Sequence, residues 1–459
     1  MTSAVAENQL FDAARSRSRL VTSAFAAAVT VGGILLANPQ SLPQFVVFFC
    51  AWNAIILVLN REDLPQFAFA FLVNSAFIAV FVAVQSSIYP DTYGTTSPLS
   101  SSWTDDSYFF TLAADSFPAD LLSRENYWHY THTFPTLIRA LTPLPIEHPL
   151  DALFFQSGIA AVLSTFTRRL VLQLSGGARV ADTAYVLVLI CPFLMMNGGV
   201  ILLRDTFAAA LLVYSICCLN SRRFVLAAGA IALQLAVRPG TGLILLPAYG
   251  VLYFREIATF VRRHPLLVAG GATLAVFAIY TLADLLLQLA EQHIGVKSVG
   301  FLGRELITDL NADPNANALF NRIQEMPFAA KLVLNAGYIF SYPFLSMRSV
   351  LSADTFDIRN VAMNLAIPIY SYWLNAWFFA GVLSSVRAIE KQRAIVYVIA
   401  VILILVGSYS LQTRHKTIIY PLYYIIVAVG FRTATPLARR WGYLLATVLL
   451  GVQIAAGIR

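Results

Sequence analysis

The sequence is poor in charge. Asp, Glu, Lys and Arg make up only 12% of its 459 residues, while 58% are hydrophobic and the mean hydropathy is +0.70. A soluble globular domain carries about 25% charged residues, so the composition excludes that class. Apolar runs of about 17 to 25 residues recur along the chain, which is the length that a helix needs to cross a bilayer. The sequence therefore predicts a polytopic membrane protein.

Several other signals are missing. The alternating strands of about ten residues that mark a membrane barrel do not occur, nor does a repeat of about 20 to 50 residues. The four cysteines, Cys50, Cys191, Cys217 and Cys218, lie in apolar runs without CxxC spacing, so they predict neither a disulfide nor a metal site. We expect an all-α bundle in which residues 1–459 form one transmembrane domain.

Hydrophobic runs place about thirteen candidate membrane spans along the chain. They lie near residues 19–38, 43–60, 66–87, 150–166, 181–202, 205–220, 223–237, 240–254, 265–286, 362–385, 394–411, 417–431 and 441–457. Arginines precede the first run, but no small-residue cleavage site with a soluble mature chain follows it. We interpret this run as a retained span and not as a removed signal peptide.

Basic residues set the predicted orientation. If the N-terminus is cytoplasmic, the short basic loops fall on the cytoplasmic side, as the positive-inside rule requires. These loops hold Arg61, Arg168, Arg169, Arg179, Arg222, Arg223, Arg255, Arg262, Arg263, Arg387, Lys391, Arg393, Arg432, Arg439 and Arg440. The same rule explains the net charge of +7 without a nucleic-acid partner.

Two long loops, 88–149 and 287–361, then face the extracytoplasmic side. The second contains the apolar stretch 329–347, which we expect to re-enter the membrane as a hairpin, because a full crossing would turn the basic segments 387–393 and 432–440 outward. The first loop carries seven acids and only two arginines. Acidic loops outside and basic loops inside agree with the predicted orientation.

The predicted order and orientation of the spans place ten ionisable residues on the outer side of the membrane, each at the end of a span or beside one. They are Asp105, Asp106, His129, His132, Arg204, Asp205, Arg238, Arg414, His415 and Lys416. Ionisable groups near the membrane are costly and normally face a cavity or a partner. We therefore expect these residues, which come from distant parts of the chain, to converge on one site.

Two arginines stand where the positive-inside rule disfavours them. Arg204 and Asp205 lie between two apolar runs, and Arg238 ends a run before Pro239 and Gly240 break the helix. An interfacial ion pair and a snorkelling anchor would explain them structurally. The functional alternative is phosphate binding, to which a planar, permanently charged guanidinium is suited.

A cationic triplet, Arg414 to Lys416, occupies a short outer turn before a span that contains several tyrosines. One explanation is an ordinary cytoplasmic basic loop in a wrongly threaded chain. If the threading holds, the three cations form an anion site at membrane depth. We expect a lipid-linked phosphate to bind there.

Adjacent carboxylates, Asp105 and Asp106, precede an amphipathic stretch that begins near Ser107. One aspartate can cap that helix by accepting its free backbone N–H groups. The second is available for chemistry, and adjacent carboxylates raise one pKa, which suits a general base. A shared Mg²⁺ or Mn²⁺ ion is a further alternative.

His129 and His132 are three residues apart, among Tyr127, Trp128 and Tyr130. This spacing could hold a metal, but no HExxH pattern accompanies it. Aromatic rings pack on apolar C–H surface while neighbouring polar groups bond hydroxyls. The stretch therefore indicates a sugar-binding face.

Together these segments resemble bacterial multi-spanning glycosyltransferases of the GT-C fold, among them the exopolysaccharide and O-antigen membrane transferases and polymerases. The similarity rests on DDSYFFTLA (105–113), CPFLMMNGGVILLRDTFAAALLVYSI (191–216), LAVRPGTGLILL (235–246) and TRHKTIIYPLYYI (413–425). In that class, a carboxylate of the first outer loop serves as base or metal contact, and late basic residues hold a polyprenyl phosphate. The resemblance implies the first role for Asp105 or Asp106 and the second for Arg414, His415 and Lys416.

We therefore expect a glycosyltransferase of the bacterial cytoplasmic membrane whose site opens outward among the membrane lipids. It would move a sugar from a polyprenyl-phosphate-linked donor to a glycan or lipid-linked acceptor. A carboxylate would deprotonate the acceptor hydroxyl, and arginine or lysine would hold the departing phosphate.

Two alternatives stay open. A polymerase of lipid-linked repeat units would use the same cations for a diphosphate. A transporter or flippase of lipid-linked saccharides should show midplane charges, broken helices in matched halves and internal symmetry. This sequence instead concentrates its outer charges on one face.

Overall fold

Helices are the only regular secondary structure in the part of the chain that the structure describes. The structure is a computed structural model, and it describes residues 21–88, 110, 112–114, 130–174, 177–200, 202, 204–266, 269, 270, 273, 327, 330, 337, 340, 361, 365–385, 390–409 and 413–457. No strand occurs among these residues. The prediction of an all-α helical fold is therefore confirmed.

The helices are numbered in chain order. They are α1 (Val21–Ala37), α2 (Leu42–Asn60), α3 (Leu64–Ile88), α4 (Tyr130–Ala140), α5 (Pro149–Gln173), α6 (Ala178–Leu189), α7 (Pro192–Met195), α8 (Arg204–Asn220), α9 (Phe224–Val237), α10 (Pro239–Leu252), α11 (Phe254–Arg263), α12 (Ile367–Ser385), α13 (Glu390–Tyr409), α14 (Tyr420–Thr433) and α15 (Pro436–Gly457). Short 3₁₀ turns at Pro39–Ser41, Arg61–Asp63 and Thr413–Ile418 precede α2, α3 and α14.

Helix α5 lies at the centre of the packing. It contacts α2, α3, α6 and α8, and 94% of its most apolar window is buried. Phe155 of α5 lies 5.5 Å from Trp52 and 5.7 Å from Phe134, measured between ring centroids. Nearly every residue from Pro149 to Val171 is buried, so this helix lies in the interior and contacts its neighbours on all sides.

A second group of helices, α12, α14 and α15, packs through glycine. A Cβ added to Gly430 would collide with the carbonyl oxygen of Trp377, and one added to Gly381 would collide with that of Ile426. Small residues at such points let two helix backbones approach closely, which is the usual way in which apolar helices associate in a membrane.

Two stretches of the described residues, Pro39–Ile88 and Pro149–Gln173, are long and apolar enough to cross a membrane. Shorter apolar helices occur at Val21–Ala37, Phe224–Val237 and Ala394–Leu405. Length and composition thus give a weak indication of membrane association. The thirteen-span threading stays a prediction.

The predicted span at 181–202 is not one continuous helix. Helix α6 ends at Leu189, α7 begins at Pro192, and a π-helical turn occupies Met196–Val200. Proline lacks the N–H group that would continue the helical hydrogen bonds, and its ring clashes with the preceding turn. Hydropathy alone does not register this break.

One end of the bundle gathers arginines from several helix termini. Each bonds to a neighbouring helix or turn: Arg168 to Asp182 at 2.8 Å, Arg169 to Asp63 at 2.8 Å, Arg223 to the carbonyl oxygen of Leu59 at 2.9 Å, and Arg432 to Thr183 at 2.8 Å. All four arginines belong to loops predicted to be cytoplasmic. We call this region the basic end.

The opposite end holds charged side chains inside the packing. Helix α8 runs from Arg204 towards Ser221, which bonds Gln173 at the basic end, so Arg204 lies at the far end of α8. Lys416 likewise precedes α14, whose last turn carries Arg432. We call the region of Arg204, Asp205, Arg238 and Lys416 the buried-charge end.

Candidate functional site

An acid and an arginine open helix α8. Arg204 is its first residue and Asp205 stands in its first turn, where a negative side chain complements the positive end of the helix dipole. Both side chains are buried, with 8% and 1% of their surface exposed. The sequence predicts only that they lie between two apolar runs, and the structure places them on the helix itself.

Arg238 reaches this pair from a helix junction. It lies between α9 and α10, and Pro239 at the first position of α10 supplies the start of the new helix. One guanidinium nitrogen of Arg238, Nη1, lies 2.9 Å from Oδ1 of Asp205. Nη1 of Arg204 donates to the carbonyl oxygen of Val237 at 3.2 Å, which fixes the same junction against α8.

Two arginines and one aspartate meet in this cluster, and the guanidinium of Arg238 pairs with the carboxylate of Asp205. Neither oxygen of Asp205 accepts a well-aligned hydrogen bond within the described part of the chain, although Oδ1 forms the ion pair with Arg238. A buried carboxylate normally has its hydrogen-bonding capacity filled. The cluster therefore combines two guanidinium groups with a carboxylate that can accept further hydrogen bonds, a set that suits a bound group that carries both an anion and hydroxyls.

Lys416 is a second buried cation, with 5% of its surface exposed. Its Nζ donates to the carbonyl oxygen of Phe340 at 2.5 Å and lies 5.4 Å from the centre of the Tyr420 ring. The 3₁₀ turn that carries Lys416 packs against α8, the helix that begins with Arg204. The structure thus brings the late basic turn next to the helix that carries the Asp205 cluster.

The tyrosines that follow Lys416 lie inside the bundle and not in a belt at its surface. Tyr423 donates to Oδ1 of Asn375 and Tyr424 to Sγ of Cys191, both at 2.7 Å. Tyr420 and Tyr424 stack with ring centroids 5.5 Å apart. These contacts hold α14, and with it the Lys416 turn, against α7 and α12.

Other predicted site residues lie partly or wholly outside the described residues. Asp105, Asp106 and His129 lie outside the described residues. His132 lies on α4, and Arg414 and His415 lie in the 3₁₀ turn before α14, but only their backbone is described. Their predicted roles stay predictions, as does the hairpin at 329–347.

The described residues place no three His, Cys, Asp or Glu side chains together where they could hold a metal ion. The four cysteines are free thiols, three of them buried and Cys50 exposed. Asp105 and Asp106, for which a shared divalent cation is an alternative, lie outside the described residues.

His148 is a feature that the sequence analysis missed. It caps α5: its Nδ1 accepts from the backbone N–H of Leu150 at 3.2 Å, while Asp151 accepts from the N–H of His148 at 2.9 Å. Burial lowers the pKa of His148, and the Asp151 carboxylate opposes this shift without cancelling it. The usual sequence signal of a capping box is Ser or Thr followed three residues later by Glu or Gln, and here His148 and Asp151 take those two places.

None of the family models, curated proteins and solved structures compared with this chain matches it.

Proposed function

We propose that the chain is a multi-pass protein of about thirteen spans in a bacterial cytoplasmic membrane, with its N-terminus in the cytoplasm. We further propose that it is a glycosyltransferase, which moves a sugar from a polyprenyl-phosphate-linked donor to a glycan or lipid-linked acceptor on the outer face. The observation that carries this proposal is the buried cluster of Arg204, Asp205 and Arg238, with the Lys416 turn packed against the same helix.

The outer surface of the bundle supports a membrane setting. Large apolar side chains are highly exposed on helices far apart in the chain, among them Leu36 at 83%, Val58 at 85%, Val225 at 86% and Val448 at 59%. Broad exposed apolar surfaces mark contact with lipid or with other proteins. With charge inside and hydrocarbon outside, the described helices have the arrangement that a bilayer favours.

The separation of the two ends supports the orientation. The four arginines that pair at the basic end all belong to loops that the positive-inside rule assigns to the cytoplasm. The buried-charge end then faces outward. A phosphate leaving a lipid-linked sugar would meet Arg204, Arg238 and Lys416 there, and these cations would stabilise its developing charge.

The test is transfer by the purified full chain in detergent or vesicles, with polyprenyl-phosphate-linked sugars as donors. Asp105→Asn and Asp106→Asn identify the base, because Asn keeps the accepting oxygen of a helix cap but cannot carry a proton away. We expect one variant to lose about 10²- to 10⁴-fold in rate while it stays folded and still binds donor. Normal transfer by both variants and by the double variant would assign the pair a structural role.

A second candidate function, transport of lipid-linked saccharides, is favoured by the broken helix at Leu189–Pro192. Discontinuous helices line the substrate sites of many transporters. A vesicle assay that follows movement of a labelled lipid-linked sugar between leaflets separates the two proposals. Movement of the labelled lipid between leaflets without sugar transfer would favour the transporter over the glycosyltransferase.

A further inference from the structure

A cavity of about 380 Å³ lies between α2, α4, α5, α8 and α9. No charged side chain among the described residues lines it, and the aromatic ones that do are Trp52, Phe155, Phe166, Phe207 and Tyr214. Sites for small ligands are concave and lined mostly by apolar and aromatic side chains, so the cavity is suited to an apolar ligand.

The cavity is accessible from the side of the bundle. Its lining includes Val225, Leu226 and Gly229 of α9, all of which are exposed. Near the basic end, Arg223 bonds to the carbonyl oxygen of Leu59 and joins α9 to α2. In the proposed membrane setting, a hydrocarbon chain would enter from the bilayer past α9.

The lining leads towards the buried-charge end. On α9, Leu233 lines the cavity and Val237 lies one turn further along the same face. On α8, Phe207 lines the cavity one turn after Arg204. Arg204 donates to the carbonyl oxygen of Val237 at 3.2 Å, so the two lining faces meet at the cationic cluster.

We infer that this cavity holds the hydrocarbon chain of a polyprenyl phosphate whose phosphate lies at the buried-charge end. The inference rests on the proposed function, and it adds the location of the lipid chain. A polyprenyl phosphate joins one chain to one anionic group, which matches one apolar cavity that leads to one cationic cluster. A bilayer phospholipid carries two chains and would leave one of them outside.

Gly229 offers a clean way to fill the cavity. It lines the cavity, and a Cβ added there meets nothing within 4 Å, so a side chain can start there without moving the backbone, and we expect Gly229→Trp to place its ring in the cavity. The matched control is Ala228→Trp, which adds the same ring at the neighbouring exposed position of α9 outside the lining. Gly229→Leu is a smaller filling for use if the tryptophan prevents folding.

The measurement is binding of two probes, a long-chain polyprenyl phosphate and geranyl phosphate, to the purified full chain in detergent. Gly229 lies about 12 Å along α9 from Val237, so we expect the short geranyl chain to end before it. Gly229→Trp should weaken long-chain binding about tenfold or more, because lost burial of two methylene groups already has that effect. It should leave geranyl phosphate binding unchanged, and Ala228→Trp should change neither.

Equal long-chain binding by Gly229→Trp and wild type would overturn the inference, as would displacement of the probe by phosphatidylglycerol as readily as by polyprenyl phosphate. The readout needs no transfer reaction. If the protein binds the two probes in this pattern but transfers no sugar, the proposed activity is wrong and the inference stands. If Gly229→Trp transfers sugar from long- and short-chain donors as wild type does, the proposed activity stands and the inference is wrong.

Discussion

The two ends of the bundle use arginine in different ways. At the basic end, the side chains of Arg168 and Asp182 keep 16% and 26% exposure, whereas at the buried-charge end those of Arg238 and Asp205 keep 14% and 1%. A pair that keeps part of its surface in contact with solvent costs less to desolvate and contributes less stability. A buried pair is costly to desolvate, so its presence is poorly explained by stability. The acid of the pair is thus more deeply buried at the buried-charge end, where the proposed site lies.

The sharpest test of this contrast removes one carboxylate from each end. Asp205→Ala leaves the guanidinium of Arg238 beside an apolar group, and we expect a loss of about 3 to 5 kcal/mol in the free energy of unfolding. Asp182→Ala, the matched change at the basic end, should cost at most about 1 kcal/mol. Denaturant unfolding in detergent measures both. Equal losses would show that the ends do not differ in this way.

The next test removes one cation from each end. Lys416→Met keeps the length and packing of the side chain but deletes the charge, so we expect polyprenyl phosphate binding to weaken about ten- to a hundredfold. Arg223→Met at the basic end should bind the lipid as wild type does. Titration of the purified variants with labelled lipid gives the two affinities. If Lys416→Met binds the lipid with wild-type affinity, Lys416 is not part of the phosphate site.

The smallest expected effect concerns pH. Arginines stay charged throughout the physiological range, but the cap of α5 depends on a neutral His148. Because the folded pKa lies below the unfolded value of about 6.5, the cap contributes fully above that pH and is lost as pH falls through the lowered pKa. We expect about 0.5 to 2 kcal/mol of stability to disappear in acid.

The control for this pH effect is His148→Asn, which keeps an accepting oxygen that does not titrate. Melting temperatures between pH 5 and pH 8 should decrease less in acid for the Asn variant than for wild type. The same acid-induced decrease in both proteins would assign the pH dependence to other groups.

Local sequence signals predicted much of the fold. The predicted span 43–60 corresponds to α2 (Leu42–Asn60), and 205–220 corresponds to α8 (Arg204–Asn220). Hydrophobic runs bounded by charged or helix-breaking residues define such helices directly. The break at Pro192 was missed because hydropathy does not register a missing backbone N–H.

The candidate site was harder to predict, because its contacts join distant segments. The sequence identified Arg204, Asp205 and Arg238 as unusual, but their ion pair depends on how α8 meets the junction of α9 and α10. The apolar cavity could not be predicted at all, because five helices line it and each shows only ordinary apolar residues. The roles of Asp105 and Asp106 stay predictions.

The assignment of function requires the buried-charge end to face outward, and labelling of single cysteines tests this directly. In a Cys50→Ala background, Glu147→Cys and Ser221→Cys place thiols at exposed positions of the buried-charge end and the basic end. In intact spheroplasts, a membrane-impermeant maleimide should label Glu147→Cys, and it should label Ser221→Cys only after the membrane is opened. Labelling of Ser221→Cys in intact cells, with Glu147→Cys protected, would contradict the orientation and every role assigned to the outer end.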